Sequence, residues 1–389
     1  MAIKLHNTLT GSLDEFKPID SGEVKMFVCG PTVYDYAHIG NAKTYTQFDI
    51  VARTLKYLGY KVNYLVNITD IDDKIIARAK EKGVAPEKIA EEFETAYLED
   101  MRSLNNTSVT KYARAHDYIN QIISQVERLV EKDFAYKISD GYYFDISKFS
   151  DYGKLSGRNS LGPNDAVSRI DENPEKKNSG DFCLWKFKKE GEPFWPSSLG
   201  EGRPGWHIED TAITESEFGL QYDIHGGAVD LIFPHHEAEI AQMESLSGLK
   251  PFVRYWLHAG FLNIDSAKMS KSKGNFFTIR DVFEKGFSPL ALRYLFLLSH
   301  YRTPVNFTWE ALEAAQNAYN KIKKLVDSWP DGGKVDESYK KQFVEKIEND
   351  LNTPQALAVL WTLAKDKDVS PEDKKATAQN FCNVFGLGL

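Results

Sequence analysis

Cysteine is scarce in this 389-residue sequence, which has only Cys29, Cys183 and Cys382. Three widely separated cysteines cannot form a disulfide framework, so the sequence predicts a protein of a reducing compartment, the cytoplasm. Long apolar runs are also missing, and the segment that follows Met1 lacks the apolar core of a secretory signal. We therefore expect no membrane partner and no secreted, disulfide-stapled fold.

An excess of positive charge is missing as well, since the formal net charge is −8. Composition alone thus does not favour a nucleic-acid partner, although such a partner needs only a local basic face. Three basic groups are more typical of solvated surface than of nucleic-acid contacts. They are Lys74 with Arg78 and Lys80, Lys186 with Lys188 and Lys189, and Lys321 with Lys323 and Lys324.

Apolar residues make up 42% of the chain, enough for a large core, and its length predicts two or three domains. Residues 24–29 and 61–67 have the pattern of buried strands, and residues 44–58 that of a helix between them. This β-α-β unit is expected to be parallel and right-handed. Its ligand crevice should lie at the carboxyl ends of the strands, where Cys29 and Thr69 stand.

The rest of the chain divides into further segments by pattern. Helices are predicted at residues 86–104 and 118–130, a β-rich and turn-rich insertion at 141–202, and renewed β/α alternation from Gly205. From residue 288 onward the chain has helical spacing, interrupted by a linker at 327–333. The sequence therefore predicts an α/β fold followed by helices.

A first candidate site lies where the first strand turns at Gly30 into the following helix. Residues 38–41 read His-Ile-Gly-Asn. Gly40 allows a phosphate or purine to approach the backbone, His38 can donate to a phosphate oxygen, and a helix N-terminus adds free N–H groups. Taken alone, the segment fits a capped helix start equally well.

A second candidate site is the segment Lys-Met-Ser-Lys-Ser-Lys-Gly-Asn at residues 268–275. A lysine-rich loop ending in glycine can neutralise a triphosphate and follow its charge through a reaction. Taken alone, it fits a solvated basic loop. In this order and spacing, however, the two segments resemble the two signatures of class I aminoacyl-tRNA synthetases.

Three intervening segments narrow the resemblance to the cysteinyl-tRNA synthetases: residues 67–74, 205–209 and 225–239. The similarity runs from residue 3 to about residue 388. It implies a Rossmann-like parallel-sheet catalytic domain split by an insertion and followed by a C-terminal helical bundle. The implied boundaries are 1–115 and 204–260 for the two catalytic halves, 116–203 for an insertion that contacts the tRNA acceptor end, 261–300 for a stem-contact region with the lysine loop, and 301–389 for the bundle on the anticodon-stem side.

The resemblance also implies a reaction, the ATP-dependent activation of L-cysteine and its transfer to the 3′-terminal adenosine of tRNA(Cys), with Mg²⁺ accompanying ATP. The implied catalytic residues are His38, Asn41, Lys268 and Lys271. Nucleotide contacts would add Gly40, Gly227 and Asp230, and the amino-acid pocket would comprise Cys29, Gly30, Thr69, Trp206, His207 and His235. Asn41 stands where the family often has histidine, and its amide keeps a donor there.

Members of this family hold one Zn²⁺ through two cysteines, a histidine and a glutamate. The matching residues are Cys29, Asp210, His235 and Glu239, so Asp210 replaces a cysteine. A carboxylate oxygen binds zinc at about 2.0–2.2 Å against roughly 2.3 Å for a thiolate, and leaves a harder ion. We expect zinc to be retained and, through coordination of the substrate thiolate, to reject serine. A metal-free pocket is the alternative.

Two other functions remain open. A paralogue could join cysteine to a small amine such as an amino sugar, or a non-catalytic paralogue could bind nucleotide or RNA. The chain ends at Leu389, where typical bacterial members continue into a small anticodon-reading domain, which favours the amino-sugar alternative. The near-complete signatures favour the ligase, which we expect to be a compact monomer without that domain.

Overall fold

The structure, a computed structural model, describes residues 3–158, 173–265, 267–268 and 275–389, with only the backbone path at 267–268. The strands are β1 (Lys4–Asn7), β2 (Ser12–Glu15), β3 (Glu23–Val28), β4 (Lys61–Ile68), β5 (Lys111–Arg114), β6 (Ala135–Ile138), β7 (Gly141–Phe144), β8 (Phe182–Phe187), β9 (Gly202–Pro204), β10 (Tyr222–Ala228), β11 (Val253–Ala259), β12 (Leu262–Ile264), β13 (Ala267–Lys268) and β14 (Val305–Phe307).

The helices are α1 (Ile39–Tyr57), α2 (Asp73–Lys82), α3 (Pro86–Ser103), α4 (Ile119–Glu131), α5 (Trp206–Phe218), α6 (Glu237–Ser247), α7 (Ile279–Glu284), α8 (Pro289–Leu297), α9 (Trp309–Ser328), α10 (Glu337–Ile347), α11 (Thr353–Lys365) and α12 (Pro371–Phe385). None of the described helices is long and apolar enough to cross a membrane.

The central element is a five-stranded sheet of order β11-β10-β3-β4-β5 in which every neighbouring pair is parallel. The predicted β-α-β unit is β3-α1-β4. Because β6 to β9 form a separate antiparallel sheet between β5 and β10 in the chain, the parallel sheet is interrupted by an insertion. The predicted α/β fold with a split parallel sheet and C-terminal helices is confirmed.

The apolar spacing predicts a helix from residue 44, but α1 begins five residues earlier, at Ile39. His38 caps its start: the imidazole Nδ1 accepts the Asn41 N–H at 3.1 Å, and the Asn41 side chain accepts the His38 N–H at 3.3 Å. This reciprocal cap satisfies two free N–H groups of the first turn and extends the helix to Ile39. The cap places both residues at the carboxyl edge of the sheet.

Two apolar cores cover the two faces of the parallel sheet. Met26 and Val28 point into a core shared with α1, α3 and the C-terminal helices, whereas Phe27 and Cys29 point into a core shared with α4, α5, α6 and the insertion. The alternation follows from the two-residue period of a strand. Cys29 therefore faces the side from which α5 and α6 contribute their residues.

Candidate active site and metal centre

A cavity of about 240 Å³ opens at the carboxyl ends of β3 and β10, as expected for a parallel sheet. Its walls come mainly from the turn between β3 and α1 and from the start of α1. The lining residues that the sequence predicted are Cys29, Gly30, His38, Asn41 and Asp230. The cavity thus joins the predicted amino-acid end to the predicted nucleotide end.

The turn after β3 is held against the end of β4. The Gly30 N–H donates to Asn67 Oδ1 at 2.5 Å, and Thr69 exchanges backbone hydrogen bonds with Pro31 and Val33 at 3.1 and 3.2 Å. A Cβ atom at position 30 would lie 1.6 Å from the Asn67 carbonyl oxygen, so only glycine fits there. This packing fixes Cys29 at the base of the cavity.

The four predicted metal ligands converge, although they come from distant segments. Ligand atoms of Cys29, Asp210, His235 and Glu239 all lie within 4.8 Å of one another, and all four residues are buried. His235 Nε2 is 3.0 Å from Asp210 Oδ2 and 3.3 Å from Glu239 Oε1. One thiol, one imidazole and two carboxylates around one point fit a tetrahedral divalent ion.

The electrostatics of this cluster also fit a cation. Burial and then the charges of Glu239 and Asp210 raise the pKa of the Cys29 thiol well above its usual value. Burial and Asp210 likewise raise the pKa of Glu239. A divalent ion would reverse both effects, because it stabilises the deprotonated ligands. The buried cluster is therefore compatible with a metal site.

A layer of neutral histidines lies behind Cys29. His225 Nε2 and His236 Nε2 are 3.2 and 3.1 Å from Cys29 Sγ, and His236 Nδ1 is 2.8 Å from His258 Nε2. Burial lowers the pKa of His225 and His236 well below the usual value and that of His258 to about 3. Cys29, His225, His236 and Glu239 form a second set of ligand atoms within 4.8 Å of one another.

These three histidines were not among the residues for which the sequence predicts a role. His225 and His236 lie in the segment that carried the resemblance, and His258 lies at the end of β11. His225 is the central residue of β10 and His258 the last but one of the adjacent parallel strand β11, so residue spacing gave no signal that these side chains meet.

Helix α5 contributes the residues on the opposite side of the metal cluster. The Trp206 indole stacks on His235 with ring centroids 4.2 Å apart, and His207 Nδ1 is 2.8 Å from His235 Nδ1. Trp206 is 41% exposed, so it covers His235 from solvent and is not a core residue. His207 is buried, which lowers its pKa well below the usual value.

Glu209 on the same helix is fully buried, and neither of its carboxylate oxygens accepts a well-formed hydrogen bond from the described residues. Burial, followed by the charges of Asp210, Asp70 and Asp72, raises its pKa well above the usual value, while the Thr69 side chain beside it acts in the opposite direction. Glu209 was not among the residues for which the sequence predicts a role.

The nucleotide end is less completely described. Gly40 is the second residue of α1, and Gly227 lies in β10, where a Cβ atom would meet the His236 ring at 2.8 Å. The next residue, Ala228, lines the cavity. Lys268 ends β13, and Lys271 lies outside the described residues. The predicted roles of both lysines therefore remain predictions.

The position of Lys74 differs from the expectation that it belongs to solvated surface with Arg78 and Lys80. It lies in the first turn of α2 and lines the cavity, with its Nζ 5.4 Å from the centroid of the Tyr34 ring. The spacing of basic residues could not reveal this position, because it depends on how the turn after β3 packs on the start of α2.

Comparison with known proteins gives the family. Residues 15–317 match the family described as tRNA synthetases class I (C) catalytic domain, and residues 342–387 match the DALR domain. The chain is 48% identical over 393 residues to a cysteine–tRNA ligase of Thermoplasma acidophilum, covering 98% of this chain and 86% of that protein. It belongs to the cysteine–tRNA ligase family.

Other members of this family agree. The cysteine–tRNA ligase of Methanococcus maripaludis strain C7 is 45% identical over 381 residues, covering 93% of this chain and 79% of the relative. The cysteine–tRNA ligase of Caldicellulosiruptor saccharolyticus is 44% identical over 407 residues, covering 99% of this chain and 87% of the relative. The predicted family and the predicted class of enzyme, an aminoacyl-tRNA ligase, are confirmed, and neither paralogue alternative is favoured.

Solved structures of other class I synthetases share the fold. Methionyl-tRNA synthetase of Mycobacterium tuberculosis with methionyl-adenylate superposes with a TM-score of 0.64 at 16% identity, covering 94% of this chain and 90% of that chain. The LeuRS of Agrobacterium radiobacter K84 superposes with a TM-score of 0.68 at 10% identity, covering 96% of this chain and 84% of that chain. At these identities the likeness concerns the fold alone.

Proposed function

We propose that this chain activates L-cysteine with ATP and transfers the cysteinyl group to the 3′-terminal adenosine of tRNA(Cys). The observation that carries the proposal is the single cavity that joins Cys29, in the buried ligand cluster, to His38 and Asn41 at the start of α1. A substrate thiol at one end and a nucleotide at the other would place the reacting carboxylate between them.

Cys29, Asp210, His235 and Glu239 would hold one Zn²⁺. When bound, zinc offers a coordination position to the substrate thiolate that the weakly acidic hydroxyl of serine cannot use as well, which gives selectivity without editing. The remaining amino-acid contacts would come from Gly30, Thr69, Trp206 and His207. Trp206 would shield the bound amino acid from water, since its indole already covers His235.

The first step is an in-line displacement at phosphorus. A carboxylate oxygen of cysteine forms a bond to the α-phosphorus of ATP while the bond to the bridging oxygen breaks, which releases pyrophosphate and leaves cysteinyl-adenylate. Positioning and charge stabilisation dominate such a reaction. Mg²⁺ would accompany ATP, and the contacts would come from His38, Gly40, Asn41, Gly227, Asp230, Lys268 and Lys271.

In the second step a ribose hydroxyl of the terminal adenosine attacks the acyl carbon, its proton leaves, and AMP departs with the former carboxylate oxygen. The insertion at residues 116–203 would contact the acceptor end of the tRNA. Residues 1–115 with 204–260 would form the catalytic domain, 261–300 the stem-contact region, and 301–389 the bundle on the anticodon-stem side. We expect a cytoplasmic monomer without a membrane partner.

The deciding experiment is cysteine-dependent ATP–pyrophosphate exchange on protein whose zinc content has been measured, with serine as a competitor. We expect exchange with cysteine, about one zinc per chain and little exchange with serine. Exchange by zinc-free protein would remove the argument for selectivity. No exchange with any amino acid on folded protein would refute the enzymatic proposal.

A matched pair of variants separates the two ends of the cavity. Lys271→Ala should lower exchange while leaving the zinc content unchanged, because this lysine is proposed to act on the triphosphate. Asp210→Asn should lower the zinc content. If both variants change the zinc content equally, the assignment of these residues to separate ends is wrong.

A further inference from the structure

Glu209 is a fully buried carboxyl group whose neighbours are mainly acidic. It is 0% exposed, and neither carboxylate oxygen has a well-formed hydrogen bond to any group in the described part of the chain. Its nearby charged groups are the carboxylates of Asp210, Asp70 and Asp72. An unpaired buried carboxylate is strongly destabilising, so such a group calls for a cation or a donor.

The position of Glu209 points to the amino-acid end of the cavity. It is three residues from Trp206 on α5, so the two lie on one side of that helix, the side that packs on His235. The Thr69 side chain lies beside its carboxylate. Thr69 in turn is hydrogen-bonded through its backbone to Pro31 and Val33 in the turn that lines the cavity.

We propose that Glu209, together with Thr69, binds the α-ammonium group of the substrate amino acid. The inference rests on the proposed function, because it assumes that an amino acid occupies this end of the cavity. A thiolate held near Asp210 is separated from its own ammonium group only by Cβ and Cα, so the ammonium stays within reach of other side chains around the ligand cluster, among them the Glu209 carboxyl group beside Thr69. An ammonium group supplies both the positive charge and the N–H donors that this carboxylate lacks.

The test compares two ligands that differ in the ammonium group, L-cysteine and 3-mercaptopropionate. Their binding to zinc-loaded wild-type protein and to Glu209→Gln is measured by titration calorimetry. In the wild type, cysteine should bind more tightly than 3-mercaptopropionate. In the variant, the affinity for cysteine should fall by about 10- to 100-fold, as expected for a lost charged hydrogen bond, while that for 3-mercaptopropionate stays the same.

Two outcomes would overturn this inference alone. Both assume that wild-type protein carries out cysteine-dependent exchange. In the first outcome, Glu209→Gln still prefers cysteine to 3-mercaptopropionate. In the second, it loses affinity for the two ligands equally. If wild-type protein neither binds cysteine nor carries out exchange, the proposed function fails and this inference fails with it. Glu217→Gln on the same helix is the matched control, because Glu217 pairs with Lys111 and should not affect either ligand.

A second measurement separates substrate binding from a structural role. Glu209→Gln keeps the shape of the side chain and removes a buried acid whose ionisation the site opposes, so ligand-free variant protein should melt at a higher temperature than the wild type. Glu209→Asp keeps the charge on a shorter side chain and should recover part of the preference for cysteine. A lower melting temperature for Glu209→Gln, with no recovery in Glu209→Asp, would assign the residue a structural role and refute the proposal.

Discussion

Asp210 is the residue at which the ligand cluster departs from the two-cysteine pattern of the family. Its Oδ2 lies 3.0 Å from His235 Nε2, so the carboxylate lies within the ligand cluster. We predict that Asp210→Asn lowers the affinity for zinc by about 10- to 100-fold or more, since loss of a ligand costs at least as much as loss of an outer hydrogen bond. Asp210→Cys should raise it. Competition with a chelator measures both.

The control for this prediction is Glu215→Gln, on the same helix but paired with Arg128 and away from the cluster. Zinc affinity should not change in that variant. If Asp210→Asn binds zinc as tightly as wild-type protein, the ion uses the second set of ligands, which includes His225 and His236. X-ray absorption would then detect two imidazole ligands where the predicted set has one.

Lys43 is a fully buried cation, two residues after Asn41. Its Nζ donates to the Gly260 and Tyr301 carbonyl oxygens at 2.6 and 3.2 Å, and burial lowers its pKa from the usual 10.5 to about 8. The unfolded chain therefore binds more protons than the folded chain between these two values, so stability from this group rises with pH in that window. Below pH 8 the full penalty of burial applies.

We predict that the wild type gains stability relative to Lys43→Met as the pH rises from about 8 to about 10.5, by up to about 3 kcal/mol. Urea unfolding of both proteins across this range measures the difference. Other titrating groups cancel in the comparison because both proteins contain them. If the difference in free energy of unfolding between the two proteins does not change with pH, or if the variant gains stability relative to the wild type as the pH rises, the lowered pKa of Lys43 is wrong.

At the scale of elements, Arg293 links the C-terminal helices to the catalytic sheet. From α8 its fully buried guanidinium donates to Asp49 on α1 at 2.6 Å, to the Phe385 carbonyl at the end of α12 at 2.6 Å, and to the Leu104 carbonyl after α3 at 3.0 Å. Four helices thus share one cation. Removing it would leave the buried Asp49 carboxylate paired with Arg53 but without its second cationic partner.

We predict that Arg293→Met lowers the free energy of unfolding by about 3–5 kcal/mol, the usual cost of breaking a buried ion pair. Chemical denaturation followed by circular dichroism measures this loss. Lys340→Met is the control, because Lys340 pairs with Glu337 at the surface of α10 and should have little effect. Equal losses in the two variants would show that Arg293 does not link the elements energetically.

At the scale of the whole molecule, the net charge of −8 opposes binding of a polyanion except through local basic faces. We predict that affinity for tRNA falls by about tenfold or more between 50 and 200 mM salt, because each neutralised phosphate releases counterions. Cysteine-dependent exchange should change little over the same range. Filter binding and the exchange assay measure the two effects, and salt-independent tRNA binding would contradict the prediction.

Local sequence was enough to predict the β3-α1-β4 unit and the crevice at its carboxyl end, because strand and helix periods are local properties of the chain. The metal-ligand roles of Cys29, His235 and Glu239 were implied by the family resemblance and stay predictions, although a separation of four residues already indicated that His235 and Glu239 lie close together. His235 lies in an irregular turn at Ile232–His236 before α6, yet its Nε2 is still 3.3 Å from Glu239 Oε1. The apolar spacing alone placed the start of α1 too late, whereas the reciprocal cap of His38 and Asn41 agrees with the capped helix start that residues 38–41 allowed.

Only the tertiary structure decided how distant segments meet. It placed His225, His236 and His258 behind the Cys29 thiol and turned Lys74 toward the cavity, whereas the meeting of Asp210 with Cys29 was expected from the family resemblance alone. The physical reason is that burial and electrostatic partners depend on the packing of whole elements, which residue spacing does not encode. The buried, unpartnered carboxylate of Glu209 is visible only once that packing is known.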